Sequence, residues 1–199
     1  MQPDQRKLLL EAAENRAYLS IAVTDDGASV RWGVVPWERS TSAYNMRTPK
    51  LTISAEDLLD ESVRELLRQC TINGCYLYAR LPSFDFLAEF SQLEDLYLPA
   101  GELVADLSFV RPMTRLFMLY LGGAQLPDLD PLIDLWNANP YGAGKCLGLS
   151  SCDVADTSAL ARATFRFKEL HIWPVPGDSA DRWLSAEKPL LFRFHETKI

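Results

Sequence analysis

Few side chains in this sequence can act as nucleophiles, proton carriers or soft metal ligands. Those whose thiol or imidazole group suits these roles are the histidines His171 and His195 and the cysteines Cys70, Cys75, Cys146 and Cys152. A thiol beside an imidazole is what a cysteine nucleophile needs, and closely spaced thiols are what a zinc site needs. The gap from Cys146 to Cys152 is too wide for a ligand pair, and Cys75 falls at a core position of the pattern described below, so no metal is expected. Gly144-Lys145-Cys146 fails as a phosphate-binding loop, because Asn139 stands where the first glycine is required and Cys146 replaces Ser or Thr. His195-Glu196-Thr197-Lys198 lacks the second histidine of a zinc-protease helix, and neither a Gly-x-Ser-x-Gly elbow nor a Gly-x-Gly-x-x-Gly fingerprint is present. The chemistry points to recognition rather than catalysis, with no cofactor.

The 199 residues carry 20 Lys and Arg against 27 Asp and Glu, a net charge of −7. That excess argues against nucleic acid or an anionic membrane as partner and would steer a basic one. At 48% hydrophobic and 24% charged, the chain has ample core material and no disordered composition. Leu8-Leu9-Leu10, flanked by Arg6, Lys7 and Glu11, is too short for a signal-peptide core, and no apolar run reaches the 18 or so residues of a spanning helix. The expectation is a soluble cytoplasmic protein with free thiols.

Internal repetition organises most of the chain. Leu93, Leu96, Leu98 and Leu103 recur as Leu116, Leu119, Leu121 and Leu126, every offset being 23. The central pair continues in both directions as Leu51/Ile53, Cys75/Leu77, Leu147/Leu149, Leu170/Ile172 and Phe192/Phe194, with successive spacings of 24, 21, 23, 28, 23 and 22. Asp85, Asp106, Asp128, Asp156 and Asp178 track the same variable period, at spacings of 21, 22, 28 and 22. A short carboxylate at that point can accept the unbonded N–H groups that open a helical turn.

The pattern L-x-x-L-x-L-x-x-x-x-L, with turns such as Asp106-Leu107-Ser108-Phe109-Val110, resembles the leucine-rich repeats of the short bacterial, internalin-like class. The resemblance covers residues 48–199 and implies an α/β solenoid of about seven repeats with a parallel concave sheet. The family places Asn or Cys in a buried hydrogen-bonded ladder, at the position held here by Glu56, Arg80, Gly101, Ala124, Cys152, Val175 and Thr197. Only Cys152 matches, so the other turns must satisfy their amides and carbonyls differently.

Residues 1–47 do not repeat and are expected to cap the open end of the solenoid. Asp4 to Arg16 reads as a helix. Leu19, Ile21 and Val23 alternate, Asp26-Gly27 turns the chain, and Val30, Trp32 and Val34 alternate again, which predicts a β-hairpin. Pro36 to Pro49 reads as a linker, and Ser54 to Arg68 as one amphipathic helix. The last repeat leaves a strand edge protected by Lys188, Pro189, Arg193 and Lys198. A monomer is favoured, with dimerisation through that C-terminal edge as the alternative.

If the pattern leucines point inward, the residues between and beside them point to the concave face. The central row is then Thr52, Tyr76, Tyr97, Tyr120, Gly148, His171 and Arg193, flanked by Asp95, Met118, Cys146 and Glu169 before it and by Tyr78, Trp173 and His195 after it. Aromatic rings in such a row supply rigid contact area, and they also stack to stabilise neighbouring strands. Gly148 is expected to leave a notch in the row. The 28-residue repeat carries extra chain near Trp136 and Tyr141, expected as a loop beside that notch. The resulting reading is a non-enzymatic module that binds a polypeptide through Tyr76, Tyr78, Asp95, Tyr97, Met118, Tyr120, Glu169, His171, Trp173, Arg193 and His195, with Trp136 and Tyr141 as loop contacts. An acidic inhibitor or immunity-type protein that neutralises a basic enzyme or toxin is the second reading, and a thiol enzyme using Cys146 beside Glu169 and His171 the third.

Overall fold

Pro3 presets the helical φ and lacks only an N–H that a first turn leaves unbonded, and it opens helix α1, Pro3–Glu14. In this computed structural model the described residues are 1–27, 49–139, 144–175, 178, 183 and 191–194, the last four by backbone alone. Contacts divide the chain into two units, Met1–Arg80 and Leu81–Ile199.

In the first unit, α1 is followed by strands β1 (Tyr18–Thr24) and β2 (Lys50–Ser54), helices α2 (Ala55–Leu59) and α3 (Glu61–Gln69), and strand β3 (Thr71–Leu77). Ser54 and Asp57 form a reciprocal capping box at the start of α2, with Asp57 N–H donating to Ser54 Oγ at 3.0 Å. The single helix expected from Ser54 to Arg68 is two. Asp60 takes an extended conformation, and its carboxylate accepts the Ser62 N–H at 2.7 Å, so it ends one helix and caps the next.

The strands of this unit run parallel in the order β2-β1-β3. Ile21 lies opposite both Leu51 and Cys75, and Val23 opposite both Ile53 and Leu77. This corrects three expectations. Both edges of β1 are occupied by parallel partners, so β1 is not half of a hairpin; Val30, Trp32, Val34 and the expected linker up to residue 48 lie outside the described residues. The pairs Leu51/Ile53 and Cys75/Leu77 are not neighbours, because β1 separates them. The N-terminal segment supplies the middle of a sheet instead of a cap ending at residue 47. Ser20 and Ala22 are as buried as Leu19 and Ile21, which is how a central strand of a parallel sheet behaves. The register slips by one at Leu19/Ser20, leaving Asn73 as the extra residue of β3, buried with its Oδ1 accepting from Ser20 Oγ at 3.2 Å.

The second unit holds a five-stranded parallel sheet, ordered β4 (Asp95–Leu98), β5 (Met118–Gly122), β7 (Lys145–Ser150), β9 (Phe167–Trp173) and β10 (Leu191–Phe194). Leu96, Leu119, Leu147, Leu170 and Phe192 are mutually in register, as are Leu98, Leu121, Leu149, Ile172 and Phe194. The leucine spacings thus place every strand partner where the sequence put it. Those of β4 to β9 are buried to 1% exposure or less, and Leu87, Leu93, Leu107, Val110, Leu116, Leu132, Val154 and Leu160 of the connecting turns are buried with them. Leu103 departs from the pattern, since it is 61% exposed and Val104 fills the core in its place.

Among the described residues the connections hold 3-10 turns at Asp85–Glu89, Ser108–Val110 and Ser158–Arg162. Two strands, β6 (Gln125–Asp128) and β8 (Asp153–Asp156), pair in parallel as a small second sheet, and the longest connection contains helix α4, Asp130–Ala138. Asp106, Asp128 and Asp156 each accept the N–H two residues on, at 2.6, 2.9 and 2.7 Å. Asp85 does not: Ser83 Oγ takes that role by accepting the Asp85 N–H at 3.1 Å. Asp178 accepts from the indole N–H of buried Trp183 at 2.8 Å.

Backbone replaces the missing ladder. Gly101, Gly123 and Ser151 donate to the carbonyls of Gly122, Ser150 and Trp173 at 2.8, 2.8 and 2.7 Å, linking each turn to the end of the next strand. Gly123 and Ser151 adopt left-handed φ values of 74° and 52° to do so. Cys152, the single match, has its thiol 3.3 Å from the buried Leu121 carbonyl. Burial pushes that thiol up to about 11, so it stays protonated and able to donate.

A core built from stacked leucines predicts that Leu121→Ala or Leu98→Ala lowers unfolding free energy by roughly 2 to 5 kcal/mol in chemical denaturation. Wild-type stability in either variant would refute the register.

Candidate functional site

The sheet of the second unit has one face committed to leucines, so its chemistry lies on the other. Strand register aligns Tyr97, Tyr120, Gly148, His171 and Arg193 in one row and Asp95, Met118, Cys146, Glu169 and Leu191 in the row before it. Gly122, Ser150 and Trp173 align in the row after. A Cβ on Gly122 would meet the Pro99 carbonyl oxygen at 2.4 Å, so the backbone itself excludes a side chain there.

The rings form a continuous chain. Tyr97 stacks on Tyr120 with centroids 4.5 Å apart and planes 20° from parallel. Tyr120 meets Trp173 edge-on at 6.0 Å, and Trp173 stacks on His171 at 5.6 Å and 20°. Such pairs contribute about 0.5 to 1.5 kcal/mol each beyond their burial. Gly148 was expected to leave an open notch. Instead the missing side chain lets Tyr120 and Trp173, on strands either side of β7, reach each other across it. Partial burial raises the Tyr120 pKa, while its hydrogen bond with Ser150 opposes the shift.

Beside the ring row, on the same face, lies a polar row that is buried. Asp95 is 1% exposed and Glu169 7%, with Met118, Cys146 and His171 buried beside them. Glu169 Oε2 lies 3.1 Å from His171 Nε2. Burial, and secondarily the neighbouring Glu94, pushes the Asp95 carboxyl up to about 7. Asp95, Met118, Glu169 and His171, expected as exposed contacts, are therefore shielded, while Tyr97, Tyr120 and Trp173 are half-buried and still present surface. Tyr76 and Tyr78 belong to the first unit and are also half-buried. Arg193 is described by backbone only, and Tyr141 and His195 lie outside the described residues.

Trp136 is corrected outright. It sits in α4 with no exposure, donates its indole N–H to the Leu116 carbonyl at 2.7 Å, and packs edge-on against Phe165 and Phe167 at 5.5 and 5.9 Å. Trp136 thus belongs to a helix, Asp130–Ala138, that fills the core. Asp130-Pro131 at its first turn is the signal that could have shown this.

Cys146, read from the sequence as a candidate enzyme thiol, is buried. Burial pushes the Cys146 thiol up to about 12, and the carboxylates of Glu169 and Asp95 add to the shift. Sequence reasoning missed two buried polar side chains, Asn73 at the β3 irregularity and Lys145 at the start of β7, whose pKa burial lowers. No periodic signal marks either. Among the described residues no group of three or more His, Cys, Asp or Glu could hold a metal ion, and no helix is long and apolar enough to cross a membrane. Compared with protein-family models, curated proteins and solved structures, the chain gives no match.

Two outcomes follow. The folded pKa of Asp95 lies above the unfolded value of about 3.9, so its contribution to stability is complete below that value and is lost as pH rises to about 7. The stability difference between wild type and Asp95→Asn, measured by denaturation across pH, should shift against wild type between pH 4 and 7 and level off above. A constant difference would contradict the burial of this carboxyl. In a thiol-reagent assay on native protein, half-buried Cys70 should react before Cys75, Cys146 and Cys152; fast labelling of Cys146 would restore the nucleophile reading.

Proposed function

We propose that this chain is a leucine-rich-repeat-like solenoid that acts without catalysis, binding a polypeptide on the aromatic face of its second unit. The observation that carries the reading is the chain of rings from Tyr97 through Tyr120 and Trp173 to His171. Aromatic groups fixed by mutual stacking lose little conformational freedom on binding and present both an apolar face and a polar edge, the properties that make Tyr and Trp dominate binding hot spots. The in-register parallel strands and the recurring Asp caps support the solenoid. The high pKa of Cys146 supports a non-catalytic role.

A net charge of −7 favours a basic partner. Such charge steering acts on association and weakens with salt, whereas the ring contacts govern dissociation. Affinity capture from source-cell lysate should retain a partner on wild-type protein and lose it on a folded Tyr97→Ala/Trp173→Ala variant. Equal capture by both would assign the rings to sheet stability alone.

A further inference from the structure

The side of the second unit that carries its turns holds an open groove, separate from the aromatic face. It lies between two successive connections, Pro82 to Asp85 and Leu103 to Phe109, and encloses roughly 280 Å³. Repeat spacing explains why it exists. By the 22-residue offset from Asp106 to Asp128, residues 103–106 are the counterpart of β6. In the later repeats β6 pairs with β8 and closes the equivalent gap. Residues 82–85 and 103–106 form no such ladder, and the gap stays open.

The chemistry of the groove is specific. Phe109 and Leu103 supply its apolar surface, backed by the buried Phe84, whose ring lies 6.3 Å from that of Phe109. Leu103, 61% exposed at the rim, is a large apolar side chain that the fold does not use. Asp85 and Asp106 stand at the rim, both exposed, and no lysine or arginine lines the groove. Hydrogen bonds from Ser108 hold the Asp106 carboxyl below its ordinary range, so it keeps its charge at any physiological pH. The volume falls below the ~300 to 1,000 Å³ of small-molecule sites, and suits one large side chain.

We propose that this groove is a second docking site, for a polypeptide segment that presents one large apolar side chain flanked by lysine or arginine. The apolar side chain packs over Phe109 and Leu103, and the flanking cations face Asp85 and Asp106. The pairing is by charge complementarity at a cleft of mixed polar and apolar surface, which confers specificity as well as attraction.

The test is a titration of full-length isotope-labelled protein with two blocked pentapeptides, Gly-Lys-Phe-Lys-Gly and Gly-Glu-Phe-Glu-Gly, followed by amide chemical shifts. The lysine peptide should give saturable shifts confined to residues 82–85 and 103–109, at least fivefold tighter than the glutamate peptide and weakened by salt. Leu103→Ser should weaken it several-fold, and Asp85→Asn should flatten its salt dependence. Both residues are exposed, so the fold is retained. Absence of saturable shifts in the groove, shifts centred on Tyr97 and Trp173, or equal binding of the two peptides would overturn the proposal.

Discussion

Parallel pairing with like residues opposite like residues is the constraint on which the second unit depends. Each strand places two apolar side chains against the same two positions of the next, so one mismatch of a single residue would turn a whole strand's leucines to the wrong face. The connections may vary in length, from a 3-10 turn to the nine residues of α4, provided each returns the chain to that register. Asp caps and turn-to-strand backbone hydrogen bonds perform that return. The latter tie each turn to the end of the next strand.

The same constraint creates the functional face. Once alternate residues are committed to the core, the rest must line up in rows across the sheet, and whatever they are, they meet. Tyrosines meet as a stack, a glycine lets rings on both sides close over it, and along one strand Glu169 meets His171. What the rows do not determine is which of them water reaches. In this protein Tyr97, Tyr120 and Trp173 remain half-buried, while Asp95, Glu169 and His171 on the same face are withdrawn from water.

This division marks what was legible in the sequence. Strand register in the second unit was readable, because paired leucines at a repeated spacing report it directly. The place of β1 was not. Leu19, Ile21 and Val23 alternate in the same way whether a strand folds back in a hairpin or inserts between two parallel partners, and alternation does not name the partner. Trp136 was misplaced because extra residues in a repeat look like a loop until a helix start is recognised at Asp130-Pro131. Leu103 and Val104 exchanged roles because two adjacent apolar residues satisfy the pattern equally. Burial of Asp95 and Glu169 was invisible, since periodicity assigns a face and says nothing of what covers it.

The central claim is the in-register parallel sheet, and backbone proton distances test it most directly. A nuclear Overhauser spectrum of the labelled protein should connect the Leu96, Leu119, Leu147 and Leu170 segments in one unbroken parallel ladder, with Tyr97 beside Tyr120 and Gly148 beside His171. Antiparallel connectivities, or a ladder displaced by a residue at any of these pairs, would contradict the account.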